Sequence, residues 1–475
     1  MKRGYPGSPS SSFGPPQSRS KHNPEGDSQF LEDESTKIFA RKVADHYSAR
    51  TNQTLEEREA SPIIHLKKLN NWIKSVLIQL YARRGDAVLD LACGKGGDLI
   101  KWDKAKVGYY VGIDIAEGSF LLLMISKCSF LKHESLFVLL YAFDLHPILQ
   151  LKEEKRDGKK SSFNSYLCTS CHFHFASSTY AQIEDCRTRY NGDADHHQRR
   201  KKFTFPARLI CGDCFEVRLD RVLADDAPFD ICSCQFAMHY SWSTEARARR
   251  ALANVSALLR PGGTFIGTMP DANVIVKKLR EGLVLQLAFV FPVLKQCSKK
   301  SLFKTTFVIL DWRCYCHCEY AAEGLAFGNS VYWIRFDEEF TDKKFKSSSP
   351  FGIKYKFHLE DAVDCPEWIV PFHVFKSLAE EYDLELVFVK NSHEFVYEYM
   401  KKPEYIELMR RLGALGDGNQ DQSTLSLDEW EAAYLYLAFV LKKRGQPDRT
   451  QANSRKDKGQ MQIAKEDILY INSDD

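Results

Sequence analysis

Val88-Leu89-Asp90-Leu91-Ala92-Cys93-Gly94-Lys95-Gly96-Gly97-Asp98 is the stretch on which the reading of this chain turns. It is an apolar, strand-like run closed by a glycine-rich turn, and residues 99–104 then read as a helix. Glycines at such a turn admit positive φ and let a ligand approach the backbone closely. A lone glycine-rich turn is weak evidence, and the acids at later strand ends weigh more. The next apolar run, 109–113, ends at Asp114, 20 residues after Gly94. At that spacing a carboxylate takes both ribose hydroxyls of a nucleoside cofactor. A third run ends in Gly212-Asp213 and brings another acid to the same sheet edge, where it suits an adenine amino group.

Nicotinamide and methionine-derived cofactors both fit this much. The turn separates them: it lacks the GxGxxG that binds a pyrophosphate, and Asp90 at its start suits the amino-acid and sulfonium end of S-adenosylmethionine. A fourth run leads into Cys234-Gln235-Phe236-Ala237-Met238-His239-Tyr240, and Leu259-Arg260-Pro261-Gly262-Gly263 precedes the fifth. The cofactor expected on this reading is S-adenosylmethionine.

Across the rest of the chain, strand-like runs at 87–92, 109–114, 208–212, 229–235, 264–269, 384–390 and 435–441 alternate with helical stretches such as 66–81 and 245–259. That alternation predicts an α/β fold with a doubly wound, mostly parallel, seven-stranded sheet. With 475 residues, 44% hydrophobic and 27% charged, the chain has ordinary globular composition and length enough for a large core. Its 66 Lys+Arg against 63 Asp+Glu exclude a histone-like tail protein but not a local basic groove. No apolar stretch reaches the ~20 residues of a membrane span. The start has no apolar core of a secretory signal, so an intracellular protein with reduced thiols is expected despite fourteen cysteines.

Residues 1–34 are Ser-, Pro- and Gly-rich and read as a disordered arm, and 445–475 as a polar tail in which 461–471 is expected to form a short helix or an interaction peptide. Two segments, 120–182 and 282–321, break the alternation and hold seven of the fourteen cysteines. They read as insertions in one domain spanning 35–444.

In its motifs the chain resembles the eukaryotic mRNA cap guanine-N7 methyltransferases. The resemblance rests on Leu69-Asn70-Asn71-Trp72-Ile73-Lys74-Ser75, the turn at 93–101, the segment 235–240, Val363-Asp364-Cys365-Pro366-Glu367 and residues 430–436. It implies a Rossmann-like methyltransferase core, transfer of a methyl group from S-adenosylmethionine to N7 of the guanine of 5′-capped RNA (GpppN), a nuclear location and association with the capping machinery. The resemblance places Lys74, Ala92, Asp114, Asp213, Gln235 and Tyr240 around S-adenosylmethionine. It places Asn70, Asn71, Lys95, Lys101, Arg189, His239, Glu367 and Tyr436 around the cap, with His239, Glu367 and Tyr436 positioning the base. Ala92 departs from the glycine many family members carry. A methyltransferase of another substrate, or an RNA-binding scaffold disabled by the insertions, are the alternatives.

Pattern alone reads several of these residues differently. His239 at a strand end is a core histidine, Tyr436 a core aromatic, Lys74 a solvated helix residue, and Glu367 after Pro366 a loop acid at the surface. The run His196-His197-Gln198-Arg199-Arg200-Lys201-Lys202 is a solvated basic loop, an RNA-phosphate contact or an import signal. Cys168-x-x-Cys171-His172-x-His174 and Cys314-x-Cys316-His317-Cys318 have zinc-like residues without a well-spaced second half, and no metal is expected.

Overall fold

The computed structural model describes residues 38, 40, 42–44, 46–47, 54–115, 181–192, 203–281, 325–340, 349–414, 425–446 and 459–471. The proposed arm, most of both insertions, the basic run 196–202 and both cysteine clusters therefore lie outside the described residues.

Five strands form the parallel heart of the sheet: β1 (Ala87–Leu91), β2 (Tyr109–Asp114), β3 (Ala207–Cys211), β4 (Phe229–Gln235) and β5 (Leu259–Pro270). Four more, β6 (Ala326–Gly328), β7 (Tyr332–Phe336), β8 (Lys354–Leu359) and β9 (Val363–Trp368), make a separate antiparallel sheet. The chain then returns through β10 (Leu384–Asn391) and β11 (Tyr436–Lys443), and ends at β12 (Leu469–Tyr470). The main sheet runs β10-β11-β5-β4-β1-β2-β3-β12, with β11 antiparallel to both its neighbours. All seven expected strands are present. The eighth, β12, pairs in parallel with β3, so the C-terminal segment expected as a helix or free peptide instead extends the sheet, preceded by a 3₁₀ turn at Lys465–Asp467.

Every strand of the parallel heart is apolar on both faces because helices cover both. Val88 and Ile231 face one core, with Trp72 and Trp102, while Leu89 and Cys232 face the other, with Trp242 and Phe375. The first face is covered by α1 (Ile64–Tyr81), α2 (Leu99–Ala105) and α3 (Ala181–Asn191), and the second by α4 (Glu245–Leu258) and α5 (Phe372–Glu381). Helices α6 (Ser392–Tyr399), α7 (Pro403–Leu412) and α8 (Leu427–Tyr434) lie between β10 and β11 in the chain and pack on α1. Three long-range hydrogen bonds fix α1 in place. Its first turn has no capping side chain of its own, and buried Glu429 of α8 accepts from the backbone N–H groups of His65 and Leu66 at 3.1 Å each. A carboxylate at a helix N-terminus satisfies orphan donors and opposes the helix dipole favourably. Trp72 Nε1 in turn donates to Tyr405 O at 2.9 Å. These bonds hold Asn70, Asn71 and Lys74 beside the turn that follows β1. Among the described residues no helix is long and apolar enough to cross a membrane.

Candidate active site

The strands β1, β2, β3 and β4 end at one edge, and a cavity of about 210 Å³ lies there. Ala92 and Gly94 line it from the turn after β1, Asp114 from the end of β2, Asp213 and Phe215 after β3, and Gln235, Phe236 and Tyr240 after β4. Five of the six residues expected around the cofactor thus share one wall: Ala92, Asp114, Asp213, Gln235 and Tyr240. The turn approaches closely because its backbone is left-handed at Ala92 (φ 54°) and Gly94 (φ 53°). At Ala92 an L residue occupies a conformation that favours glycine, so the departure from the family residue carries local strain.

Asp114 accepts a hydrogen bond from Gly94 N–H at 2.7 Å, which ties the turn to the second strand. Burial pushes its carboxyl up to about 7, against the pull of the backbone donors Gly94 and Ile115. Asp213 is held from two sides, accepting from Phe215 N–H at 2.9 Å through Oδ1 and from Arg247 Nη2 at 2.7 Å through Oδ2. Gln235 accepts from Thr268 Oγ1 at 3.1 Å.

Lys74 is not part of this wall. It pairs with Asp98 at 2.8 Å, and Asp98 also takes Lys101 at 2.6 Å. Burial alone would raise Asp98, but the two ammonium groups overcome it and hold the carboxyl well below the usual range. Lys101 donates further to Asn71 Oδ1 at 3.0 Å and Gly97 O at 3.2 Å. Its burial, opposed by Asp98, brings the ammonium down to about 8. Lys74 and Lys101 are therefore joined in one buried network under the glycine turn, where pattern alone puts Lys74 in solvent. Asp90 does not reach the cavity either. It is buried and accepts from Tyr110 Oη at 3.0 Å and Trp102 Nε1 at 3.4 Å, so it braces β1 and does not face a ligand.

The residues expected around the cap form three groups. The first is Asn70, Asn71 and Lys101, in which buried Asn70 Oδ1 has no partner among the described residues. In the second, Lys95 pairs at 2.9 Å with Asp185 of α3, the helix that also carries Arg189. The third is His239, Glu367 and Tyr436, all buried. Glu367 lies on β9, not in a surface loop; it accepts from Tyr355 Oη at 2.8 Å, and His239 Nε2 stands 3.3 Å from its Oε1. Neither ring nitrogen of His239 has a well-aligned hydrogen bond among the described residues. Tyr436 meets Phe236 edge to face at 5.1 Å between ring centres, and the His239 ring sits 4.1 Å from Tyr240. Since Phe236 and Tyr240 also line the first cavity, the third group shares a wall with it. Burial pushes the phenols of Tyr240, Tyr355 and Tyr436 well above their ordinary value, so all three stay protonated at neutral pH.

The profile of the mRNA (guanine-N(7))-methyltransferase domain matches residues 30–124, 162–287 and 311–444. The chain belongs to that family. Its match pauses at 125–161 and 288–310, inside the two irregular segments. A relative from Arabidopsis thaliana, mRNA cap guanine-N(7) methyltransferase 1, is 65% identical over 473 residues, covering 100% of both chains. The protein of that name from Oryza sativa subsp. japonica is 59% identical over 91% of this chain and 89% of its own. The mRNA cap guanine-N(7) methyltransferase of Schizosaccharomyces pombe is 33% identical over 85% and 82%. The chain is an S-adenosylmethionine-dependent mRNA cap guanine-N7 methyltransferase.

Several residues of this methyltransferase site escaped the sequence reading. Val43, Ala44 and Tyr47 line the cavity from the segment before α1, and Tyr47 Oη lies 3.0 Å from Tyr240 Oη. Gln182 lines it from α3, so the expected insertion boundary at 182 runs two residues into a site helix. Arg247 and Ser243 also line it. The fit to S-adenosylmethionine is chemical: the cavity is lined by two carboxylates, acceptors of the kind that ribose hydroxyls and an adenine amino group need, and buried Ser243 Oγ and Arg247 Nε have no partner among the described residues. Buried polar atoms are normally satisfied, so unpaired ones at a cavity wall mark where ligand atoms go.

Proposed function

We propose that the chain methylates guanine N7 of GpppN-capped RNA by in-line displacement, with positioning and electrostatics replacing general base catalysis. The observation that carries this reading is the shared wall, Phe236 and Tyr240, between the two-carboxylate cavity and the His239–Glu367–Tyr436 group. S-adenosylmethionine supplies an electrophilic methyl group, and guanine N7 already has a free lone pair, so no proton needs removal. Ala92, Asp114, Asp213, Gln235 and Tyr240 hold the cofactor on this reading, and Lys74 acts through Asp98 on the turn. Alignment of two bound reactants is worth ~7–11 kcal/mol in favourable cases.

Glu367 presents a carboxylate to the donors on the Watson–Crick edge of guanine, N1–H and the 2-amino group. Its negative charge favours the positive charge that develops in the ring as N7 is methylated, in a site where burial leaves little water to screen it. Tyr355 fixes the carboxylate and His239 and Tyr436 shape the base pocket. Lys95, Lys101 and Arg189 serve the triphosphate, while Asn70 and Asn71 line its approach. On this reading Lys101, paired with Asp98, and Lys95, paired with Asp185, both meet the triphosphate from within ion pairs.

The domain reading is one methyltransferase domain that starts near residue 35, has two interruptions, the first ending before Ala181, and extends beyond 444 to include β12. A nuclear site of action follows from the substrate, and the basic run 196–202 fits an import signal. Contact with the capping machinery fits the need to act on a freshly capped end. The decisive assay incubates the protein with methyl-labelled S-adenosylmethionine and GpppG-capped or uncapped RNA of one sequence. Label confined to the capped RNA, released as 7-methylguanosine, supports the proposal; label on uncapped RNA, or RNA binding with no transfer, refutes it.

A further inference from the structure

Resting on the reading of Asp213 as the adenine acceptor, we propose that Arg247 and Ser243 complete the adenine subsite, with Arg247 as the positioning residue that makes the cavity specific for a 6-amino purine. Arg247 stands on α4 and is buried. Its Nη2 donates to Asp213 Oδ2 at 2.7 Å, and its Nη1 lies 3.6 Å from Glu216. Asp213 Oδ1 is fixed independently by Phe215 N–H at 2.9 Å. One donor on each oxygen sets the plane of the carboxylate, and a carboxylate with four lone-pair sites still has capacity for an amino group.

The remaining polar atoms of this end have the opposite sense. Arg247 Nε is a donor and Ser243 Oγ can donate, and both are buried without partners among the described residues in side chains that line the cavity beside Phe215. Adenine offers one donor group at C6 and acceptors at its ring nitrogens, which matches one carboxylate flanked by two donors. Hypoxanthine carries a carbonyl at C6, which sets oxygen against the Asp213 carboxylate. A site built for a hydrogen-bonding group rejects the analogue lacking it strongly, because its own buried groups are then left unpaired. Without the Arg247 fork, Asp213 keeps one anchor and its second oxygen is free to turn away.

The test is calorimetric and needs no turnover. S-adenosylhomocysteine and S-inosylhomocysteine are titrated into the full chain and into Arg247→Met, Arg247→Lys and Ser243→Ala. The wild-type protein is expected to prefer the adenosine compound by at least about a hundredfold. Arg247→Met should weaken that compound about tenfold or more and change the inosine compound less than about twofold, so the preference collapses. Arg247→Lys should recover part of it, and Ser243→Ala should weaken the adenosine compound while keeping the thermal midpoint. An unchanged preference in Arg247→Met overturns the proposal, as does an equal loss for both ligands with a lowered midpoint. Failure of the wild-type protein to bind S-adenosylhomocysteine would instead refute the cofactor reading beneath it.

Discussion

Replacing Asp114 by Asn should move cofactor affinity and protein stability in opposite directions. The side chain is 5% exposed, and its carboxyl is pushed up to about 7 by burial from an ordinary 3.8. A raised folded-state value means that the group favours folding below pH 3.8, and that this advantage is lost as pH rises through about 7. Above that, holding the bare carboxylate costs roughly 4 kcal/mol in the free protein, at 1.36 kcal/mol per unit. An amide of the same shape avoids the cost, and its oxygen can still accept from Gly94 N–H. The same change should damage binding, because an amide has a single acceptor oxygen for two ribose hydroxyls. Losing one hydrogen bond to a charged group is worth about 1.5–3 kcal/mol, or roughly 10- to 150-fold in Kd. Titration of S-adenosylhomocysteine at pH 8 should show that loss, while the thermal midpoint of the free protein rises or stays level. The pH dependence gives a second check. With a value near 7, about nine-tenths of Asp114 is ionised at pH 8 and about one-tenth at pH 6, so wild-type Kd should rise roughly tenfold over that interval. Asp114→Asn should be nearly flat. Equal affinity in the two proteins, or the same pH slope, would show that Asp114 does not hold the ribose.

Glu367→Gln should lower kcat/KM for GpppG about 10- to 150-fold, since an amide cannot accept from both guanine donors, while Kd for S-adenosylhomocysteine changes less than about twofold. Equal loss of both would mean a collapsed site. Deleting 125–161 and 288–310 together should preserve cofactor binding, whereas truncation before residue 459 should weaken it, because the tail bonds directly to α3. Side-by-side calorimetry and melting of the two variants check this, and the reverse order of damage would overturn that anchoring.

How far the sequence was legible depended on whether the partner of each residue was near in the chain. The parallel strands could be read because each is a continuous apolar run of five or more residues buried on both faces, as in Val88-Leu89 or Ile231-Cys232. The antiparallel sheet could not. Its strands β7 and β8 bury every second residue, and their outward Trp333, Arg335, Lys356 and His358 make each run look like surface. Pro366 argued further against a strand, yet β9 is an edge strand of that sheet, the place where proline is tolerated. Glu367 was misplaced for the same reason. Lys74 gave no local sign of burial, since its partner Asp98 lies 24 residues away across the glycine turn. The same applies to Tyr47, which meets Tyr240 across 193 residues. Acids after strand ends were legible because position in a parallel sheet alone brings them to one edge.

The anchoring of α3 explains how a site can survive a long interruption in its own chain. This helix brings Gln182 to the cofactor cavity, Asp185 to Lys95 and Arg189 to the same neighbourhood, yet the residues between β2 and α3 include the first irregular segment. If the connection to β2 fixed α3, lengthening it would displace all three side chains. Among the described residues, the helix is held by the core packing of Ile183, Cys186 and Tyr190 and by bonds to the C-terminal segment. Arg187 Nη1 and Asn191 Nδ2 both donate to Ile463 O, at 3.2 and 2.7 Å, and Ile463 N–H returns a bond to Asn191 Oδ1 at 3.0 Å. The Tyr190 hydroxyl shares its proton between Phe205 O at 2.6 Å and Gln460 O at 2.9 Å. The C-terminal segment thus clamps α3 and then docks as β12 on β3, which also carries the lead-in to Asp213. Loop length enters the stability of such an arrangement only logarithmically, at about 0.6 kcal/mol per doubling. A helix bonded in this way to the tail tolerates that change, because the bonds do not depend on the length of the connection that precedes it. The C-terminal segment, read from composition as a polar tail, is therefore part of what holds the helix that carries Gln182, Asp185 and Arg189.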